Sequence, residues 1–242
     1  MNLIKHIVEP SRLLLAWQAP DGAGNRDRHI VANLTRGPDM SVMLRYTFNS
    51  PDFAAAQALG FTGHPAFKLA DQPYDVEVLP TLMRRLPPRS RPDFSGYLQQ
   101  LRLPQDVQIS DFALLGYSGA RLPGDGFSVI HPFSNVVGSA EFTLMVAGTR
   151  HNVDLAIFPL QVGDGVNFRP EPVNPKDELA IQVIVHDQCI GYVSRGLLPS
   201  FHQWLQQGRV SASVDRINGS AERPAVYLFV EVAAPRDAKM AA

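Results

Sequence analysis

The chain contains a single cysteine, no long apolar run and almost no net charge, and each absence removes a class of protein. Because Cys189 stands alone among 242 residues, an intrachain disulfide and a site built from several cysteines are excluded. No apolar run approaches the ~20 residues that a membrane-spanning helix needs. The first six residues lack the apolar core of a secretory signal, so we expect a cytoplasmic protein without a membrane partner.

Positive and negative side chains are nearly equal in number, but the kind and position of the basic residues are informative. A net charge of −1 argues against a protein that covers duplex DNA by charge alone. All but four of the 22 basic residues are arginine, the side chain suited to bidentate phosphate contacts. One cluster within eight residues comprises Arg84, Arg85, Arg89 and Arg91. This cluster is interpreted either as a solvated surface turn or as a contact for phosphate groups or an acidic partner.

Motifs of the common enzyme classes are absent. The glycine-rich segment 116–126 lacks the Gly-Lys-Ser/Thr of a phosphate-binding loop and precedes a predicted strand, so we interpret it as a structural turn. The chain contains no Gly-x-Ser-x-Gly nucleophile elbow around Ser118, since Ala120 stands at the position of its second glycine. His151 and His186 have acidic neighbours without an established metal-ligand spacing. We therefore predict no catalytic residue, metal or cofactor, while an unrecognised activity in residues 1–140 stays open.

The hydrophobic pattern predicts an α+β, β-rich protein. Apolar runs at 13–17, 30–34 and 42–48 indicate a small antiparallel sheet with one buried face. Ser50 and Ser110 are typical helix caps, so short helices are expected to follow them. Further strands and one amphipathic helix follow in the second half of the chain, with turns predicted at Ile190-Gly191-Tyr192 and Asn218-Gly219. The predicted organisation is a mixed α/β-sheet domain at residues 1–138, a second domain at 139–235 and a flexible tail at 236–242.

A proline-rich loop between two predicted strands is the most distinctive stretch. Pro170, Pro172 and Pro175 fix their own φ and bias each preceding residue toward extended backbone, so Glu171 and Asn174 are ordered in advance. Little conformational entropy is then left to lose when a ligand binds. The loop is therefore interpreted as a recognition site.

This loop also carries a resemblance to a known family. The order Glu171-Pro172-x-Asn174-Pro175-x-Asp177-x-x-Ala180-Ile181-x-Val183, followed by Ile190-Gly191-Tyr192-Val193 and a short helix, resembles the HIRAN domain over roughly residues 141–233. The resemblance implies a small β-barrel with one or two short helices that binds single-stranded DNA at a free 3′ end. The DNA-binding positions that it implies are Arg150, His151, Asn174, Lys176, Asp177, Tyr192 and Arg195.

The resemblance implies different roles for these positions, and the sequence departs from the family pattern at two of them. Asp177 takes the position that accepts the terminal 3′-hydroxyl. His151 replaces the usual tyrosine, and Lys176 replaces an aromatic residue that stacks on a base, which suggests a phosphate contact instead. An alternative reading is that Asn174 and Asp177 cap the loop itself, as short Asx side chains often do.

The resemblance leads us to expect a non-catalytic protein that recognises single-stranded DNA with a free 3′ end and serves bacterial DNA processing, repair or defence. Residues 10–130 are also weakly similar to the N-terminal subdomain of HipA-type toxin kinases, through Leu79-Pro80-Thr81-Leu82 and the segment 111–120. That similarity implies a domain that contacts a protein partner without a kinase core. The alternative function is therefore an interaction or regulatory subunit of a HipA-like toxin–antitoxin system.

Overall fold

The computed structural model describes residues 2–20, 27–134, 136–220 and 223–235, which form two compact units. The N-terminal unit comprises Glu9–Leu101 and Gln105–Pro132. The C-terminal unit contains the chain from Phe133 onward together with the segments up to Val8 and Arg102–Pro104. The domain boundary at residue 138 stays a prediction, and the predicted tail at 236–242 lies outside the described residues.

The N-terminal unit is built on a four-stranded antiparallel sheet with the order β3-β2-β1-β6. Its elements in chain order are β1 (Arg12–Gln18), β2 (Arg28–Arg36), β3 (Val42–Tyr46), α1 (Pro51–Ala58), β4 (Gly63–His64), β5 (Phe67–Lys68), α2 (Val78–Met83), α3 (Phe94–Gln100), α4 (Asp111–Ser118) and β6 (Phe127–Ile130). The three strands predicted from apolar runs are therefore present. Their buried aromatic residues Tyr46 and Trp17 pack near Phe61, which forms part of the core of this unit.

Local capping explains where two of these helices begin. The Ser50 hydroxyl accepts the backbone N–H of Phe53 at 3.1 Å, and the Ser110 hydroxyl accepts that of Ala113 at 3.0 Å, as predicted. Gly116, which was predicted to lie in a turn, lies inside α4. A Cβ at this position would meet the Leu13 side chain at 2.7 Å. The glycine thus allows the helix to approach the sheet closely.

The C-terminal unit is a curled six-stranded sheet with the order β10-β9-β8-β11-β12-β7. Its elements are β7 (Ala140–Met145), α5 (Thr149–Asn152), β8 (Gly165–Pro170), β9 (Ile181–Val185), β10 (Gln188–Tyr192), a 3-10 turn (Arg195–Leu197), α6 (Leu198–Gln206), β11 (Val210–Ser220) and β12 (Arg223–Val232). An antiparallel bridge between Ala147 and Tyr192 joins the segment after β7 to β10, so the sheet forms a partly closed barrel. The predicted β-rich α+β fold is confirmed.

Two segments that are distant in sequence complete the core of this unit. Phe201 and Trp204 of α6 are buried and contact Phe142, whose ring also stacks on Phe133 at 4.1 Å. Ile4 is buried, and its N–H donates to the Arg102 carbonyl at 2.8 Å. The first residues of the chain therefore belong structurally with its second half.

Two predicted turns are in fact strand residues. Ile190-Gly191-Tyr192 belongs to β10, and Asn218-Gly219 lies within β11. The connection between β9 and β10 is instead made at His186 and Asp187, which have φ values of 47° and 63°. Because two-residue hairpin turns with positive φ favour Asn or Gly, the pair His-Asp gives no such signal in the sequence. In the part of the chain that the structure describes, no helix is long and apolar enough to cross a membrane.

Candidate nucleic-acid interface

The seven predicted site residues come from four segments of the C-terminal unit. Arg150 and His151 lie on α5, the loop 171–180 carries three of them, Tyr192 ends β10, and Arg195 begins the 3-10 turn. Because Ala147 pairs with Tyr192, α5 follows directly from the point where the barrel closes. The fold therefore brings α5 next to β10, although 35 residues separate them in the sequence.

Asn174 organises the loop through its own side chain. Its Oδ1 accepts the backbone N–H groups of Lys176 at 2.9 Å and Asp177 at 3.2 Å, while its Nδ2 donates to Glu171 Oε2 at 2.7 Å. A backbone hydrogen bond from the Glu171 N–H to the Ala180 carbonyl, at 2.8 Å, closes the base of the loop. The capping role considered for Asn174 is thus what the structure shows, and its side chain stabilises the loop from within.

Asp177 combines a capping bond with an ion pair. Its Oδ1 accepts the N–H of Leu179 at 3.0 Å, and its Oδ2 accepts from Arg195 Nε at 3.1 Å. The side chains of Asp177 and Arg195 are 23% and 35% exposed, so solvent reaches both. Each carboxylate oxygen can accept more than one hydrogen bond. The pair can therefore accept a ligand hydroxyl without losing the bonds that hold it.

A second group of polar side chains lies beside the loop, and of its members only Tyr192 was among the predicted site residues. Burial raises the pKa of the Tyr192 phenol, nearby Cys189 and Glu171 raise it further, and Gln182 lowers it. Arg169 donates through Nε and Nη2 to Gln182 Oε1 at 3.1 and 2.9 Å. The group comprises Arg169 on β8, Gln182 on β9 and Tyr192 on β10, so only the strand register brings its members together.

The remaining predicted positions are exposed. Arg150 Nε donates to His151 Nε2 at 2.9 Å, which requires that this ring nitrogen carry no proton. Lys176 is exposed at the tip of the loop.

Burial raises the pKa of the Cys189 thiol, whose sulfur contacts the Gly191 carbonyl at 3.4 Å, so the thiol stays protonated at neutral pH.

Three of the four arginines in the cluster of the N-terminal unit form ion pairs with aspartates of that unit. The Arg85 guanidinium is 7% exposed, binds both carboxylate oxygens of Asp125 at 2.6 and 3.1 Å, and donates to two backbone carbonyls. Arg89 pairs with Asp111 and Arg91 with Asp93. The phosphate-contact interpretation of the cluster is therefore wrong for Arg85, because burial removes it from the surface.

Among the residues described, no three or more histidine, cysteine, aspartate or glutamate side chains come together in an arrangement that could hold a metal ion.

The C-terminal unit is similar to proteins of one domain family. Residues 139–234 match the model of the HIRAN domain, which confirms the resemblance inferred from the sequence. The structure of the HIRAN domain of human HLTF is 16% identical, with 40% of this chain and 81% of that chain covered and a TM-score of 0.30. A protein from Lactobacillus plantarum is 24% identical, with 39% and 97% covered and a TM-score of 0.33. No curated protein matches the chain.

HIRAN domains are known for binding DNA and recognising 3′ ends, so the family match supports DNA binding as the function class of this unit. The similarity of the N-terminal unit to HipA-type kinases stays a prediction.

Proposed function

We propose that the C-terminal unit binds single-stranded DNA at a free 3′ end and that the protein has no catalytic role. The family match supports DNA binding and 3′ ends as the general class. The observation that carries the finer proposal is the solvent-accessible pair of Asp177 and Arg195 at the end of a loop that is already ordered by Asn174.

A carboxylate in this position is informative because DNA is an anion. A carboxylate beside phosphate groups is unfavourable unless it accepts a hydrogen bond, and the donor at the end of a DNA backbone is a free hydroxyl. In the proposed complex Arg195 binds the last phosphate while Asp177 accepts the 3′-hydroxyl. A strand that continues, or that ends in a phosphate, offers no such donor and adds repulsion.

The other exposed side chains hold the rest of the strand. Arg150 and Lys176 supply positive charge for phosphate groups on either side of the site. Tyr192 offers an aromatic ring for stacking on a base, a contact worth ~1–3 kcal/mol per base in single-strand binding proteins. Because the loop is ordered before the ligand arrives, little of this energy is lost to ordering.

The test compares two strands that differ only at one end. A labelled ten-nucleotide strand with a 3′-hydroxyl and its 3′-phosphate counterpart are titrated with the protein, and fluorescence anisotropy measures both dissociation constants. Hydrogen bonds to charged groups contribute ~1.5–3 kcal/mol, so we expect the hydroxyl end to bind about 10- to 100-fold more tightly. Asp177→Asn should lose most of this preference while keeping an oxygen that can accept the Leu179 N–H.

Two comparisons make the result specific. Asp106→Ala removes an exposed carboxylate from the N-terminal unit and should leave the preference unchanged. Arg150→Ala should weaken both strands by a similar factor, because it removes a phosphate contact and not the reader of the hydroxyl. Equal affinity of the unmodified protein for the two ends would refute the proposal and favour a protein partner.

A further inference from the structure

Arg169 is held in a fixed position on the outer face of the barrel by a neutral side chain. Its Nε and Nη2 both donate to Gln182 Oε1, at 3.1 and 2.9 Å, and the arginine is exposed. Most surface arginines sample many rotamers because the side chain is long, and ordering them on binding costs free energy. Here two hydrogen bonds restrict the guanidinium before a ligand is present.

The acceptor matters as much as the geometry. A carboxylate partner would neutralise the arginine, whereas the amide of Gln182 orients it and leaves its positive charge available. Within the described part of the chain no ion pair involves Arg169, and the nearby Glu171 carboxylate accepts instead from Asn174 at 2.7 Å. The result is an oriented surface cation that forms no direct ion pair among the described residues.

The strand register places this cation beside the proposed DNA site. Gln182 pairs with Arg169 on β8 and with Tyr192 on β10, so the three residues form one row across three neighbouring strands. Ile181 and Val183 are buried, which directs Gln182 and its row away from the core. With neighbouring strands ~4.8 Å apart, the backbones of Arg169 and Tyr192 are roughly 10 Å apart.

We propose that Arg169 is a further phosphate-binding residue and that Gln182 is its positioning residue. A strand whose 3′ end lies at Asp177 passes over Tyr192 and places an upstream phosphate against the Arg169 guanidinium. This inference rests on the proposed function and extends it, because it assigns the outer face of β8–β10 to the path of the strand.

The test measures how many counterions binding releases. Each phosphate contact with a single strand contributes ~0.7 to the slope of log affinity against log salt concentration. Arg169→Ala and Arg169→Gln should each lower the slope by about 0.7, which corresponds to about five-fold weaker binding near 0.1 M salt when the curves converge at 1 M. Arg169→Lys should keep the slope because it keeps the charge.

A matched control separates local contact from general charge. Arg45→Ala removes an exposed arginine from β3 of the N-terminal unit and should leave both slope and affinity unchanged. Gln182→Ala retains the charge of Arg169 but frees it, so the slope should persist while affinity falls. In a double-mutant cycle, the effects of Gln182→Ala and Arg169→Ala should be less than additive.

The outcomes distinguish this inference from the proposed function. If the unmodified protein prefers the 3′-hydroxyl strand but Arg169→Ala keeps the full slope, or matches Arg45→Ala, the inference is refuted and the 3′-end proposal stands. If the unmodified protein binds neither strand, both are refuted. Additive effects in the double-mutant cycle would overturn the positioning role of Gln182 alone.

Discussion

Replacing Gly191 with alanine should open the junction that closes the barrel of the C-terminal unit. Gly191 has a φ of 145°, and a Cβ at this position would lie 2.4 Å from the Ala147 carbonyl oxygen and 2.6 Å from Val146 Cγ1. One of the obstructing atoms is backbone, so a rotamer change cannot relieve the clash. The bridge between Ala147 and Tyr192 must lengthen, and Tyr192 must move away from α5.

The size of the effect follows from two costs. A residue other than glycine in a sparsely populated backbone region costs ~1–3 kcal/mol, and overfilling a packed contact costs another ~1–3 kcal/mol. A domain is stable by only ~5–15 kcal/mol. With an unfolding entropy of ~2.1 cal/mol/K per residue, a loss of ~3 kcal/mol would lower the melting temperature of this unit of about 120 residues by roughly 12 °C.

The two tryptophans allow each unit to be followed separately. Trp17 lies in β1 of the N-terminal unit and Trp204 in α6 of the C-terminal unit, and both are buried. In a Trp17→Phe background, fluorescence during thermal unfolding reports the C-terminal unit. Gly165→Ala in β8 is the control, because no atom lies within 4 Å of its added Cβ.

We expect Gly165→Ala to change stability by less than ~1 kcal/mol and Gly191→Ala to produce the large shift. The Gly191 variant should also bind the 3′-hydroxyl strand more weakly, since Tyr192 moves with the junction. If both variants melt at the same temperature as the parent, the junction yields without cost and the reasoning is refuted.

Two further predictions concern the N-terminal unit, followed by Trp17 fluorescence in a Trp204→Phe background. Burial, assisted by Arg85 and opposed by Asp125, lowers the pKa of His64 to about 4. Between pH 6.5 and 4 the unfolded chain therefore binds more protons than the folded chain, so the free energy of unfolding is highest above this window and falls as the pH decreases through it. His64→Asn should reduce the slope of unfolding free energy against pH by up to about 1 kcal/mol per pH unit. An unchanged slope would show that His64 is not the group responsible. Arg85→Ala leaves Asp125 and two backbone carbonyls without their hydrogen-bond donor, so it should lower the free energy of unfolding, measured in urea, by ~3–5 kcal/mol. Arg84→Ala, at the exposed neighbouring position, should change it by less than ~0.5 kcal/mol. Equal effects would show that burial of the ion pair is unimportant.

Features that depend on neighbouring residues could be predicted from the sequence. Apolar runs indicated β1 to β3, and the serines at 50 and 110 indicated the starts of α1 and α4, because a cap is formed within three residues. The prolines around Asn174 indicated an ordered loop for the same reason. The family motif lies in this loop, so the candidate site was accessible before the fold was known.

Features that depend on register could not be predicted. The His186-Asp187 turn carries no glycine or asparagine, so the sequence placed a turn at Gly191, where glycine instead permits a close approach between strands. The arginine cluster suggested a surface contact. The sequence does not show that Arg85 is buried and pairs with Asp125, which lies 40 positions later in the chain.

The sequence by itself determined the strand pattern, the helix caps and the stiff loop that carries Asn174 and Asp177, since all of these arise from interactions over a few residues. Only the tertiary structure decided that the N-terminal segment with Ile4 completes the second unit, and that Arg169, Gln182 and Tyr192 share one surface row. The physical reason is that pairing and closure join residues far apart in the chain, where no local preference specifies the partner.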